Sequence, residues 1–354
     1  MGFEDFYKGK TVLVTGHTGF KGSWLCKMLV MMGAKVVGYS LEPPTEPNLY
    51  ELSGIDNEIT SYIADIRNAD KLKAVFEKHQ PQIVFHLAAQ PLVRDSYEMP
   101  VYTYDTNVMG TVNVCECVRL FPCVKSFLNV TTDKVYENED LSVSFTEDMK
   151  LDGFDPYSNS KSCSELVTHS YKKSFFDNMD VAVSTARAGN VIGGGDFAKD
   201  RLVPDCVRAV LSGQEIIIRN PASIRPFQHV LEPLYVYLLI AKKQFEDKRF
   251  QGYYNVGPDE ADCISAGELA DIFCRLWGGA NVVNKPEINA VHEASYLKLD
   301  TNKLKNTFGW SPVWNIETAL QKVVEWVKVY EQGGSIPSVM EKQITDFTEN
   351  INGR

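Results

Sequence analysis

No apolar run in this 354-residue chain approaches a membrane span: the longest, around Leu234–Ala241, falls far short of the ~20 residues a bilayer requires. The first residues, MGFEDFYKGK, contain no apolar stretch of signal-peptide length. Phe6 stands where a myristoylation signal beginning at Met1-Gly2 places Ser or Thr. Positive charge is in deficit: 36 Lys and Arg against 46 Asp and Glu leave a net charge of −10. A net anion repels phosphate backbones, which disfavours general nucleic-acid binding while leaving room for a local basic pocket around a small phosphate. The eight cysteines lack paired CxxC spacing and sit mostly in apolar segments. Cys115, Cys117 and Cys123 fall in a helix-like run and read as packing rather than metal ligands, so no metal site is expected and a reducing cytoplasm fits best. Internal repeats and low-complexity tracts are missing too. What is present is 44% hydrophobic residues in a chain long enough to bury a core without disulfide or metal staples.

The first half alternates strand-like and helix-like segments. Strands are expected at Thr11–Thr15, Lys35–Tyr39, Thr60–Ala64, Ile83–Leu87, Ser126–Val130 and Val181–Thr185, with helices at Asp70–His79, Val101–Leu120 and Tyr157–Phe176. Continuous apolar strands separated by amphipathic helices predict an α/β fold, a Rossmann-type doubly wound parallel sheet covered on both faces. Past Arg187 the rhythm breaks at Gly193-Gly194-Gly195. A loop-rich stretch follows, with helices at Val203–Leu211 and Leu231–Lys242 and a strand at Tyr253–Val256. We expect a dinucleotide-binding domain over 1–187 plus about 227–253, and a smaller mixed α/β substrate-binding lobe over 188–226 plus 254–332. Residues 333–354 form a tail, helical from the spacing of Met340, Ile344, Phe347 and Ile351.

Gly16-His17-Thr18-Gly19-Phe20-Lys21-Gly22 follows the first strand and opens a helix. Such glycines serve a tight turn, close backbone approach to a pyrophosphate and helix–strand packing, while the helix N-terminus attracts the anion. Glu42 is the nearest carboxylate to the ribose-reading position, and no arginine lies near that strand end, so NAD is preferred to NADP. Lys21 and His17 are weighed equally as phosphate contacts and as exposed turn residues. Asp65, followed by Ile66, is placed to meet adenine; its blander role is capping the next helix ahead of Asn68 and Asp70.

Tyr157 and Lys161 lie one helical turn apart on one face. A phenol is a poor base at neutral pH, so a nearby ammonium is needed to favour its anion. Such a pair takes a proton from a sugar hydroxyl while a nicotinamide takes the hydride. Thr131-Thr132-Asp133-Lys134 follows the strand Ser126–Val130 at the carboxyl edge, where this fold places ligands. Thr132 is suited to donate to the same hydroxyl, or to cap. Asp133 is more informative, because a dehydration needs an acid for the departing hydroxide and a plain oxidoreductase does not. That role calls for burial or a neighbouring anion.

With these motifs in place, the sequence resembles the extended short-chain dehydrogenase/reductases that act on nucleotide sugars, and within them the 4,6-dehydratases of CDP-sugars. The resemblance runs from Lys10 to about Lys328. It is carried by TGHTGFKGSWL (15–25), PPTEPNLYE (43–51), HLAAQPLVRDSY (86–97), TNVMGTVNV (106–114), TTDKVY (131–136), DPYSNSK (155–161), ARAGNVIGGGD (186–196), IRPFQHVLEPL (224–234) and HEASYLKLD (292–300). It implies dehydration of CDP-glucose to CDP-4-dehydro-6-deoxyglucose through an internal NAD redox cycle, in deoxysugar and O-antigen biosynthesis. Tyr157, Thr132 and Lys161 would oxidise carbon 4, and Asp133 would protonate the leaving 6-hydroxyl. The dTDP-glucose dehydratases carry Asp-Glu where this chain has Asp133-Lys134, with the glutamate as carbon-5 base. Lys134 takes that role only if its pKa is depressed by burial and by a cationic nicotinamide and Lys161; otherwise it positions groups and another base acts. The resemblance further places Leu87, Ala88, Ala89, Gln90 and Thr106 along the cofactor. It lines the sugar-nucleotide pocket with Asn190, Arg201, Leu202, Arg219, Arg225, Asn255, His292 and Glu293. The helices at Val101–Leu120 and Tyr157–Phe176 resemble those that pair this family into a homodimer or homotetramer. A nucleotide-sugar 4-epimerase uses the same Tyr-Lys pair but expels no water. An NAD-binding redox regulator needs no catalytic tyrosine.

Overall fold

The computed structural model describes residues 3–138, 143–285 and 296–353. Seven strands form one sheet: β1 (Thr11–Thr15), β2 (Lys35–Ser40), β3 (Thr60–Ile63), β4 (Ile83–His86), β5 (Ser126–Val130), β6 (Ala182–Ala188) and β7 (Tyr253–Val256). Their spatial order is β7-β6-β5-β4-β1-β2-β3, and every pairing is parallel. Side chains alternate between two apolar layers, as the two-residue period of a strand requires. Val12, Val14, Ile83, Phe85, Leu128 and Val130 face one layer. Leu13, Val84 and Phe127, between them in sequence, face the other.

The first layer is covered by α1 (Phe20–Met31), through Trp24, Leu25, Met28 and Leu29, and by the almost wholly buried α5 (Leu231–Glu246). The second is covered by α2 (Ala69–His79), α3 (Gly110–Leu120) and α4 (Pro156–Ser174). Helices on both faces of a parallel sheet make the doubly wound fold. Its strand order reverses between β1 and β4, which opens a ligand crevice at the carboxyl ends of those strands.

The single helix expected over Val101–Leu120 is built in three pieces. A turn of α-helix, Pro100–Tyr104, runs into a wider π-turn over Asp105–Met109 and then into α3. The insertion re-aims Asn107, which donates from Nδ2 to the Gln90 carbonyl (3.1 Å) and the Ser160 hydroxyl (2.9 Å) and accepts from Gln90 N (2.8 Å). Insertions of this kind concentrate at functional sites.

Beyond β6 the chain builds small strand pairs, 216–218 with 282–284 and 224–226 with 263–265, together with the helices Leu202–Leu211 and Ala266–Trp277. All of Tyr253–Val256 pairs with β6, so the sheet runs to Val256, past the boundary placed at 253 from sequence. The close approach of the two regions depends on Gly194. A Cβ there would lie 2.0 Å from Cγ of Trp326, and its carbonyl accepts from Trp24 Nε1 at 3.0 Å. α6 (Ile316–Glu331) carries Trp326. The tail is the helix α7 (Ile336–Asn352), which buries Met340, Ile344 and Phe347. Phe347 packs edge-on to Trp314 at 5.0 Å, and Lys27 of α1 bridges Glu58 and Glu341 at 2.8 and 2.7 Å.

Candidate active site

The glycine loop joins β1 to α1. Gly16 sits at φ +77, and a Cβ on it would meet Ala88 N at 2.7 Å. A Cβ on Gly22 would lie 2.1 Å from the Gly16 carbonyl. The backbone turn is therefore closed to any side chain at either position. Gly19 caps α1 without a side-chain hydrogen bond, and the first turn holds no acidic residue, so its N–H groups and dipole face the crevice unopposed. Together with the buried Thr106 hydroxyl, which has no hydrogen-bond partner, this cradle fits a dinucleotide pyrophosphate and its ribose.

Neither Lys21 nor His17 is the exposed turn residue of the blander expectation. The His17 imidazole is fully buried against Gly38, 2.7 Å from the Ser61 hydroxyl, and burial lowers its pKa to about 4. It is neutral at physiological pH and braces the loop from behind. Lys21 lies within electrostatic reach of Asp133 and Lys161. Burial lowers its ammonium to about 8, with Arg201 and Lys161 pushing the same way and Asp133 and Asp196 opposing. Thr18 donates to the Leu41 carbonyl (2.9 Å) and pairs with the Ser40 hydroxyl, tying the loop to the end of β2. Phe20 packs into the first-face core.

Asn68, not Asp65, caps α2, accepting from Lys71 N at 3.0 Å. Asp65 instead pairs with Arg67 (2.7 Å), whose guanidinium holds the carboxyl below its usual range and also reaches Asp105. Ile66 is buried under Gly110, and Glu42 is exposed in the loop after β2. Leu87 N and Ala88 N donate to the Thr15 hydroxyl, and Gln90 donates to the Thr103 hydroxyl; with Ala89 they form the wall leaving β4.

The candidate catalytic group assembles where β5 ends above α4. Asp155 caps α4, accepting from Ser158 N and Oγ, which fixes the first turn and with it Tyr157. Burial pushes the Tyr157 phenol up to about 12; the neighbouring Thr132 hydroxyl opposes this and the nearby Asp133 adds to it. The Lys161 ammonium donates to the Val130 carbonyl at 3.1 Å, and burial lowers it to about 8 against the pull of Glu165. Asp133 is 1% exposed. Its Oδ1 accepts from Thr132 Oγ1 at 3.0 Å, and its Oδ2 is buried with no hydrogen-bond partner. Lys134 is 27% exposed at its side chain, with Nζ 3.8 Å from Asp133 Oδ1. The burial that a lysine base requires is incomplete there, and the charged neighbour is an anion.

A cleft beside this group is lined by Asp133, Lys134, Tyr136, Phe145, Ser158 and Arg225. Arg225 is 7% exposed and donates to the Ile224 carbonyl. Arg201 pairs with Asp196 (3.1 Å) and Arg219 with Asp200 (2.8 Å), and Leu202 starts the helix after Arg201. The Asn190 carbonyl accepts from Gln228 N, which leaves the Asn190 side chain half-buried beside β6. Asn255 departs from its expected place in the pocket lining. Its Oδ1 accepts from Tyr136 and its Nδ2 donates to the Phe145 and Asp300 carbonyls, so the amide is fully engaged inside the protein. His292 and Glu293 lie outside the described residues.

Sequence reasoning missed the layer beneath. Glu165 accepts from Thr131 (2.5 Å), Thr185 (2.8 Å) and Arg187 (3.0 Å), and Arg187 also donates to Tyr136. Glu165 follows Lys161 by four residues and Tyr157 by eight. A charged residue continuing that helix face was the available signal.

The chain belongs to the family of GDP-mannose 4,6 dehydratase, whose model matches residues 13–323. CDP-glucose 4,6-dehydratase of Salmonella typhimurium is 44% identical over 350 residues, 97% of this chain and 98% of that protein. Among solved structures, dTDP-glucose 4,6-dehydratase from Bacillus anthracis in complex with NAD superposes with a TM-score of 0.78 at 24% identity, covering 92% and 99% of the two chains. UDP-glucose 4-epimerase from Thermotoga maritima with UDP-glucose gives 0.78 at 22%, covering 90% and 99%. Dehydratase and epimerase superpose equally well, so overall shape does not separate the two chemistries; individual side chains must. Among the described residues no helix is long and apolar enough to cross a membrane, and no three His, Cys, Asp or Glu are grouped to hold a metal.

Proposed function

We propose that this chain dehydrates CDP-glucose to CDP-4-dehydro-6-deoxyglucose, with NAD as resident cofactor. The observation that carries this is Asp133, a buried carboxylate with one oxygen unpartnered, hydrogen-bonded to Thr132 beside Tyr157. A 4-epimerase releases no water and has no use for an acid at that place. The similarity to the Salmonella protein across nearly the whole chain supports the cytidine base.

The Gly16–Gly22 loop, Thr106 and the backbone from Leu87 to Gln90 would hold the cofactor, which would supply reversible hydride chemistry and, when oxidised, positive charge. Tyr157 takes the 4-hydroxyl proton, with the Thr132 hydroxyl beside it and Lys161 held close by its hydrogen bond to the Val130 carbonyl. The carbon-4 ketone acidifies carbon 5. Asp133 protonates the 6-hydroxyl as it leaves. Lys134 orients Asp133 through their ion pair, and a lysine base at that position is the less favoured assignment given its exposure. Arg225, Arg201 and Arg219 supply forked donors for the substrate diphosphate; Arg201 and Arg219 exchange their carboxylate partners for it.

The division into a dinucleotide domain and a sugar-nucleotide lobe follows the same logic, with the crevice between them as the site. Two helices supply a self-association face. Val101 is 81% exposed and Leu166 54%, with Tyr104 and Met109 also exposed, which supports a homodimer built on the Pro100–Leu120 segment and α4. Incubation with CDP-, dTDP-, UDP- and GDP-hexoses followed by mass spectrometry tests the function. Loss of one water from CDP-glucose is expected; isomerisation without mass change would establish the epimerase instead.

A further inference from the structure

The segment Asp196-Phe197-Ala198-Lys199-Asp200-Arg201 follows the Gly193-Gly194-Gly195 break and leads into the helix Leu202–Leu211. Arginines anchor its flanks. Asp196 pairs with Arg201 at 3.1 Å, and Arg208 pairs with Asp205 and donates to the Phe197 and Ala198 carbonyls at 3.1 Å each. Asp200, near the end of the segment, is exposed and sits at φ +56, in the left-handed region that Asp and Asn tolerate better than other residues with a side chain.

Two guanidiniums from separate parts of the fold converge on this carboxylate. Arg94 belongs to the short helix Val93–Glu98 that follows β4, and Arg219 follows the strand 216–218. Both approach the same oxygen: Arg219 Nη1 donates to Asp200 Oδ1 at 2.8 Å, and Arg94 Nε stands 4.0 Å from it. The carboxylate therefore serves Arg219 with a hydrogen bond and Arg94 with charge alone. Arg219, with Arg94 and Arg208 adding to it, holds the Asp200 carboxyl below its usual range, so the group is an anion at neutral pH. Val93, next to Arg94, lines the cleft with Asp133 and Arg225, which sets this cluster at the border of the candidate active site.

The arrangement suits an anion larger than a carboxylate. The ion pairs of this region join four guanidiniums to three carboxylates, a local excess of positive charge in a chain of net charge −10. A diphosphate spreads its charge over several oxygens and offers an acceptor to each guanidinium, where Oδ1 of Asp200 is one atom shared between two. Arg94, Asp200 and Arg219 remain 31%, 37% and 45% exposed at their side chains, so a ligand reaches them and the displaced carboxylate returns to water.

We propose that Asp200 is a placeholder anion, which holds Arg94 and Arg219 together until the substrate diphosphate takes its place, and that Arg94 is thereby a substrate-binding residue. The exchange breaks no covalent bond and moves no proton. It keeps the empty site assembled, and it lowers the affinity for any diphosphate by the cost of displacing the carboxylate. The inference rests on the nucleotide-sugar substrate proposed above and is independent of the dehydration chemistry.

The test is isothermal titration of the NAD-loaded enzyme with CDP, and separately with inorganic pyrophosphate, for wild type, Asp200→Asn, Arg94→Gln and the double variant. Asparagine keeps the size of the side chain and its tolerance of positive φ, so this substitution removes the charge alone. Asp200→Asn is expected to bind both ligands about 5-fold more tightly, the scale of one half-exposed ion pair. Arg94→Gln is expected to weaken CDP binding about 3-fold in the wild-type background and about 10-fold in the Asp200→Asn background, because in the former the lost phosphate contact is partly offset by a carboxylate that is easier to displace. Asp200→Gly, which also accepts the positive φ, repeats the measurement. Binding that is unchanged or weaker in both Asp200 variants overturns the exchange and leaves Asp200 an anchor for Arg219. An Arg94→Gln effect of the same size in both backgrounds overturns the part assigned to Arg94. Water release from CDP-glucose is followed separately: a wild type that releases none, while Asp200→Asn still tightens diphosphate binding, overturns the dehydratase function and upholds the exchange.

Discussion

At the residue scale, the site is governed by desolvation. Burial raises the Tyr157 phenol and lowers the Lys161 ammonium, because in each case it disfavours the charged form. The Tyr-Lys spacing suggested an ammonium acting directly on the phenol, yet the Lys161 ammonium is engaged by the Val130 carbonyl, and the Thr132 hydroxyl is the neighbour that opposes the burial of the phenol. The pH consequence has a definite sign. Lys161 keeps its proton below about 8 and loses it above, so kcat/KM at saturating NAD is expected to fall on the alkaline side with a midpoint near 8. A profile flat to pH 9.5, on the order of 1.5 units beyond that midpoint, would exclude Lys161 as the required cation. Lys134 can be separated from the carbon-5 base by solvent exchange. If it only orients Asp133, Lys134→Ala slows turnover by about 10-fold while the product still takes up deuterium at carbon 5 from heavy water. A variant that oxidises carbon 4 and incorporates none would restore Lys134 as the base.

At the element scale, α4 carries the candidate catalytic residues Tyr157 and Lys161 on one face, and Glu165 follows at the same four-residue interval. The third of these anchors the other two. The Glu165–Arg187 pair is buried on both sides, at 1% and 3% side-chain exposure, and links α4 to β6, to Thr131 at the end of β5 and, through Tyr136, to the pocket wall. Removing one partner of such a pair leaves the other charge uncompensated. Glu165→Gln is therefore expected to lower unfolding stability by about 3 kcal/mol, read from the denaturant midpoint. It also removes the anion that holds the Lys161 ammonium up, so the alkaline limb of kcat/KM moves to lower pH. A change in stability without that movement would show a purely structural role. The π-turn at Asp105–Met109 is a second device of this scale: one widened turn lets Asn107 tie Gln90 on the β4 loop to Ser160 on α4.

At the scale of the whole molecule, an acidic chain concentrates its binding power in a few local places. The uncapped N-terminus of α1 and the arginines across the crevice provide positive potential where two diphosphates must sit, and carboxylates already neutralise two of those arginines. The exposed apolar residues Val101 and Leu166 are expected to be covered by a second copy. Val101→Asp should shift the species seen by light scattering to a monomer while α/β circular dichroism is retained. An unchanged mass in the variant would place the interface elsewhere.

The strands of the sheet were readable from sequence to within two residues at almost every end, because continuous apolar runs between amphipathic helices have one stable arrangement, a parallel sheet covered twice. The glycine spacing, the Tyr157–Lys161 pair and Asp133 were readable for the same kind of reason, since local chemistry and local periodicity coincide there. The π-turn was not, because a five-residue helical insertion leaves the apolar period nearly intact. Nor were the burial of His17, the engagement of Asn255 by three partners, or the Glu165–Arg187 network, whose members come from distant segments and meet only when β5, β6 and α4 pack. By itself the sequence determined the fold class and the family, which depend on spacing along the chain. Tertiary structure decided which ionisable groups burial shifts and which oxygen of Asp133 is left without a partner, because desolvation and hydrogen bonding are properties of surroundings that no single segment contains.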